Sequence, residues 1–279
     1  MSAVQHQSEP AEFTRLLTAA TRRAAALART LEGRVGNVPK LSEKSAVKQA
    51  LTEGDTRVQE ALLAGLREHF PDVSLEAEED TAGVSAFRVG GDPLVVIDPI
   101  DGTLHSYLEA KGPYAVMIGL AIGRRYVSSL IALPREGLLF GATRSGGAFS
   151  ARVAGPPRPI RASPDGNRVL VSHGMPRAAC AVLEAAGLEV IPACGGAIAV
   201  APLILGVRAG LRIASSEVGV SIRGRIGALI AREAGARLLT DGGRAFPEDV
   251  DEPARTLRIA TCDEDLAILA RALEAARIG

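Results

Sequence analysis

The aliphatic run Leu94-Val95-Val96-Ile97 ends directly in Asp98-Pro99-Ile100-Asp101-Gly102-Thr103, and this juxtaposition constrains the chain more than any other stretch. Four consecutive aliphatics bounded by turn residues read as a strand buried on both faces. Two carboxylates at its end are costly unless something compensates their charge. Asp, Pro and Gly also serve in ordinary turns, so the hexapeptide alone leaves a strand and turn open as a second reading. The site reading has a chemical logic. Carboxylate oxygens suit Mg²⁺, which commonly shares its shell with substrate phosphates, and N–H groups after a strand favour the phosphate itself. Metal ligands and phosphate donors within six residues point to phosphoryl transfer.

At 279 residues the chain suffices for one large domain or two modest ones. Its 32 basic and 32 acidic residues cancel, which leaves no overall field to recruit nucleic acid or an anionic membrane. Aromatics make up only 3%, too few for a base-stacking platform. The N-terminal MSAVQHQSEP lacks the pattern of a secretory signal. The uncharged stretch from Val190 to Val207 contains Pro192 and Pro202, and reads as strand, turn and buried helix rather than a membrane span. Cys180, Cys194 and Cys262 form no Cys-x-x-Cys pair, so buried, reduced thiols in a cytoplasmic protein are expected.

Hydrophobic spacing predicts helices over about 10–33 and 55–69, then a short strand at Val73–Leu75. Strands follow at Leu94–Ile97, Tyr114–Ile122, Tyr126–Ala132, Leu138–Thr143 and Ala148–Val153, with spacing that suggests antiparallel neighbours. Gly155-Pro156-Pro157-Arg158-Pro159 reads as a linker. Beyond it strand and helix alternate: Val169–Ser172, a helix from Pro176, Val190–Ile191, a helix Ala197–Val207, Leu211–Ala214, a helix Gly224–Ala234, Arg237–Thr240, Leu257–Ala260 and a last helix from Glu264. The chain is therefore expected to divide into an α+β half, 1–155, and an α/β half, 156–279.

Asp55, Glu78, Asp98 and Asp101 all stand at the ends of predicted elements, where loops collect functional groups. Asp55 has a second reading as a helix cap, and the Glu78-Glu79-Asp80 run as solvated surface. Four further segments accompany these residues. They are Thr52-Glu53-Gly54-Asp55, Gly146-Gly147-Ala148-Phe149, the stretch Ala228 to Gly235, and Thr240-Asp241-Gly242-Gly243.

In order and spacing, these motifs resemble the inositol monophosphatase-like superfamily of Mg²⁺-dependent phosphatases, which includes fructose-1,6-bisphosphatases and bisphosphate nucleotidases. The resemblance implies a layered αβαβα sandwich with the site between the two halves. It implies that Glu78, Asp98 and the carbonyl of Ile100 hold one Mg²⁺, and that Asp98 and Asp101 hold a second. Asp55 and Thr103 would orient and deprotonate the attacking water, and Glu78, counted with them as catalytic, would also reach a more weakly held ion. The N–H groups of Gly102 and Thr103 would hold the phosphate, while Glu217 and Lys44 would contact substrate. A small phosphorylated polyol, inositol or sugar is the implied substrate, with neither nucleic acid nor membrane as partner, and the protein is expected to be a cytoplasmic homodimer.

One motif departs from the pattern. The family's Trp-Asp pair, whose aspartate completes the second metal site, is replaced by Ile222-Arg223. Counting forward from Glu217 instead places Gly224 there. A guanidinium at Arg223 could occupy the second ion's space and present its fork to a phosphate oxygen. Alternatively Arg223 turns outward, leaving a weak ion site, or is a solvated residue beside Arg225. Two other functions therefore stand beside the phosphomonoesterase: an impaired pseudo-phosphatase that binds a phosphorylated ligand or protein partner, and a 3'(2'),5'-bisphosphate nucleotidase.

Overall fold

A computed structural model describes residues 10–37, 52–152, 154–214 and 218–278. Strand alternation determines its layers. Along β2 (Leu94–Asp101), Val95 and Ile97 face one side of the sheet and Val96 the other, and all three are inaccessible to solvent. The first side packs under two amphipathic helices, α1 (Pro10–Leu31) and α2 (Glu53–His69), through Phe13, Leu17, Leu62 and Leu66. The second packs on short buried helices, α4 (Gly195–Ala199) and α5 (Ile226–Glu233), which join it to a second sheet.

The first sheet has the order β1-β2-β3-β4-β5-β6-β7. Its other strands are β1 (Ser74–Glu76), β3 (Ala115–Ile122), β4 (Arg125–Leu133), β5 (Leu138–Thr143), β6 (Gly147–Arg152) and β7 (Arg158–Pro159). β1 pairs parallel to β2, and every later pairing is antiparallel, as the short punctuation suggested. The Gly155–Pro159 segment thus ends in a two-residue edge strand, where Pro159 forfeits no interior ladder bond.

The second sheet contains β8 (Arg168–Ser172), β9 (Glu189–Ala193), β10 (Val207–Ile213), β11 (Arg237–Leu239) and β12 (Thr256–Ala260), in the order β11-β12-β10-β8-β9. β8 runs parallel to β9 and β10, whereas β12 opposes both of its neighbours. Its outer face is covered by α3 (Arg177–Ala185) and α6 (Asp263–Ile278) through Leu183, Leu266 and Leu269. Five layers result, α-β-α-β-α, which is the expected sandwich.

Three sequence expectations need correction. The helix predicted over Ala197–Val207 stops at Ala199, continues only as a tight turn at Ala201–Leu203, and gives way to β10 at Val207. Pro202 cannot donate to an α-helical ladder, so the longer helix has no bond there. The second long helix begins at Glu53, not Asp55, because Thr52 is its N-cap. Of the three cysteines only Cys194 is buried, while Cys180 and Cys262 are partly exposed. No helix among the described residues is long and apolar enough to cross a membrane.

The loop after the DPIDGT motif ties the two sheets together. Cys194 N–H donates to Pro113 O at 3.3 Å, and Gly112 packs on the backbone of β9. At Gly112 φ is +79°, and a Cβ there would stand 1.9 Å from the Pro192 carbonyl oxygen. Gly112→Ala combines a left-handed backbone with overpacking, so a loss of about 2–5 kcal/mol is expected from urea denaturation. An unchanged midpoint would show that this contact does not hold the sheets together.

Candidate active site

The acidic motif lies where β2 leaves the interior, and each of its side chains takes its environment from a different element. Asp98 is 5% exposed, and its Oδ1 is buried with no hydrogen-bond partner. Glu78, in the segment after β1, likewise has a buried, unpartnered Oε2. Burial first, and then the charges of Glu78 and Asp101, push the Asp98 carboxyl well above the usual carboxylate range. Asp101 differs, because its Oδ2 accepts the Gly196 N–H at 2.5 Å from the start of α4.

Asp55 joins the cap of α2 with one carboxylate oxygen and faces the motif with the other. Its Oδ2 accepts from Thr52 N and Thr52 Oγ1 at 2.7 and 2.6 Å, while Asp55 N donates to Thr52 Oγ1, a reciprocal capping box. Its Oδ1 faces the motif and lies 3.0 Å from the Thr103 hydroxyl, which is also 2.9 Å from Ile100 O. Burial is the largest influence on Asp55 and raises its pKa, against the opposing effect of the Thr52 and Thr103 hydrogen bonds.

The turn itself requires glycine. Gly102 has φ +92° and opens the single wide helical turn Thr103–Leu108, and a Cβ on it would meet Cys194 Cβ at 2.7 Å. Within that turn, Ser106 Oγ lies 2.9 Å from His173 Nε2 at the end of β8. His105 pairs with Glu109 at 2.9 Å and its ring lies 4.9 Å from that of His173.

Arg223 comes from the other half of the chain and faces these carboxylates. Its Nη1 is 3.7 Å from Glu76 Oε1 and its Nη2 is 4.0 Å from Glu78 Oε1, with the side chain 28% exposed. Burial opposes the charge of the guanidinium, yet the fields of Glu78, Asp98, Glu76 and Asp101 outweigh it and raise its pKa. Arg225, two residues on, is instead locked into structure. Its guanidinium donates to the carbonyls of Val220, Asp249 and Glu252 at 3.1, 3.2 and 2.5 Å.

Asp55, Glu78, Asp98, Asp101, Thr103 and Arg223 are therefore brought together, with Ile100 O and Gly102 beside them. Lys44 and Glu217 lie outside the described residues. Sequence reasoning missed Glu76 and Gly196. The only available signal for the first was its place at the end of the short strand, two residues before Glu78. Cys194-Gly195-Gly196 opening a buried helix after a strand was the signal for the second.

Hard carboxylate oxygens with unmet bonding capacity fit a hard cation, and Glu78 Oε2 and Asp98 Oδ1 are two such atoms. No three His, Cys, Asp or Glu side chains among the described residues already stand in a geometry that would hold a metal ion. A carbonyl such as that of Ile100, together with solvent or substrate oxygens, would have to complete the shell, as Mg²⁺ commonly allows.

The sequence model of the inositol monophosphatase family matches residues 10–188. Among curated proteins, inositol monophosphatase 2 of Mus musculus is 33% identical over 110 residues, 39% of this chain and 38% of that protein. The histidinol-phosphatase of Chlorobaculum parvum is 35% identical over 99 residues, 36% of each. The chain thus matches less than two-fifths of the length of these relatives. An IMPase of Thermotoga maritima superposes with a TM-score of 0.71 at 19% identity, covering 93% of this chain and 97% of that one, a likeness of fold. Because the family's sequence pattern extends over residues 10–188 of the 279, the chain belongs to the inositol monophosphatase family.

Proposed function

We propose that the protein is a Mg²⁺-dependent phosphomonoesterase acting on a small phosphorylated polyol, inositol or sugar. The observation that carries this reading is the pair of buried, unpartnered oxygens on Glu78 and Asp98, 5% exposed in the latter case, beside the Asp55–Thr103 pair. Disused carboxylates of this kind would burden the fold without return. Family membership and phosphatase relatives support the reaction class.

Glu78, Asp98 and the carbonyl of Ile100 would hold Mg²⁺, with Asp101 beside them. When bound, the ion supplies charge neutralisation and lowers the pKa of water. The remaining chemistry belongs to the chain. Thr103 Oγ1 donates to Asp55 Oδ1, which leaves lone pairs of the hydroxyl oxygen able to accept a hydrogen bond from water. As that water's oxygen attacks phosphorus, its proton passes to Thr103 and the threonine proton to Asp55. The raised pKa that burial gives Asp55 suits it to receive the proton. The P–O bond to the leaving group breaks, and the alkoxide takes a proton from solvent. The Gly102 and Thr103 N–H groups, at the start of the helical turn, would hold the non-bridging oxygens.

Two outcomes are expected. Purified protein should release phosphate from a panel of small phosphomonoesters with Mg²⁺ and lose that release in EDTA. No release from any ester at high Mg²⁺ would refute the reading. Asp55→Asn and Thr103→Val should each lower kcat by about 10²- to 10⁴-fold, the span of a lost proton acceptor or relay. A change below threefold in both variants would remove the Asp55–Thr103 pair from the chemistry.

Asp98→Asn separates function from stability. It should abolish Mg²⁺-dependent phosphate release while stabilising the metal-free protein by about 1–2 kcal/mol, because a buried charge repelled by two neighbours is gone. A lower melting temperature for the variant in EDTA would contradict this account.

A further inference from the structure

Arg223 is a half-buried guanidinium that makes no hydrogen bond to any described residue. Its carboxylate neighbours stand at 3.7 and 4.0 Å, close enough for attraction but too far for hydrogen bonds. A planar fork of five donors is therefore unspent beside the site's carboxylates. The position is held firmly from both sides. Tyr126 Oη donates to Ile222 O at 2.9 Å, Arg212 Nη1 donates to Gly224 O at 3.1 Å, and Arg225 pins the backbone around them through three carbonyls. So firm a mounting does not suit a side chain that merely rests in solvent.

The acceptors show a matching deficit. Buried oxygens without partners are found on two of the site's carboxylates, Glu78 and Asp98, whereas Asp101 is engaged by Gly196. Two such oxygens side by side suit one cation. A guanidinium with empty donors beside that position suits an anion's oxygens, which it recognises in bidentate fashion.

We infer that Arg223 binds a phosphoryl oxygen of the substrate in place of a second divalent cation, so that each chain works with one divalent ion and one fixed guanidinium. This rests on the phosphomonoesterase reading above. Glu76 and Glu78 flank the fork, with Glu76 Oε1 3.7 Å from Nη1 and Glu78 Oε1 4.0 Å from Nη2. The arginine brings charge and direction, but it cannot bind and acidify a water as a metal ion does.

The test counts ions and measures anion affinity, without turnover. Mn²⁺ bound per chain is read by electron paramagnetic resonance of the free ion, and inorganic phosphate binding by calorimetry at saturating Mn²⁺. Wild type, Arg223→Gln, Arg223→Lys and Arg223→Asp are compared, with thermal melting to confirm that each is folded.

Wild type should bind one Mn²⁺ per chain. Arg223→Gln should weaken phosphate by on the order of 10- to 100-fold, the worth of a charge-assisted hydrogen bond. Arg223→Lys should recover part of that loss, and Arg223→Asp should raise the Mn²⁺ count from one to two. Two Mn²⁺ per chain in wild type, or phosphate affinity indifferent to Arg223→Gln, would overturn the inference. Arg223-dependent phosphate binding without turnover would sink the enzyme reading alone. Turnover with an indifferent Arg223 would sink this inference alone.

Discussion

The structure depends on how it tolerates Asp98. A carboxylate at the end of a central strand loses most of its hydration, and in real proteins that penalty amounts to several kcal/mol per ion after relaxation. Glu78 and Asp101 add repulsion to it. Everything nearby can be understood as a response. Antiparallel pairing with β3 continues through Asp98 and Asp101 and ties down the end of β2. Gly196 donates to Asp101, and Arg223 stands where its charge reaches all three acids.

That response needs both sheets. The first supplies Asp98 and Asp101, and the second region supplies Gly196 and Arg223 through short helices wedged between the layers. The helices are short because they fill a shallow space between two sheets. Small residues such as Ala197, Ala199 and Gly227 allow the close approach that brings their ends to the acids. Layer packing and site geometry are thus one constraint, and the Gly112 contact with β9 belongs to it.

Much was legible in the sequence because it is local. Strand alternation in Val95, Val96 and Ile97 sets which face each residue takes, and turn residues mark where the strand ends. The capping potential of Thr52-Glu53-Gly54-Asp55 is likewise written in four consecutive positions, although Thr52 rather than Asp55 proved to be the cap. What failed was also local pattern, applied too far. Uniform apolarity across Ala197–Val207 does not distinguish a buried helix from a buried strand, and Pro202 with the demands of the second sheet divided the segment between them.

The residue types that can hold a cation and a phosphate, and the strand-and-turn frame that carries them, were determined by the sequence itself. The surroundings of Arg223 and Arg225 were decided by tertiary structure. In the sequence, counting from neighbouring motifs singles out Arg223 but leaves its orientation open. In the fold, the carbonyl of Val220 and those of the Asp249–Glu252 turn bind Arg225 and leave Arg223 facing acids that come from the other sheet. Side-chain direction in so short a turn follows from which distant acceptors are within reach, and that is a property of packing rather than of spacing.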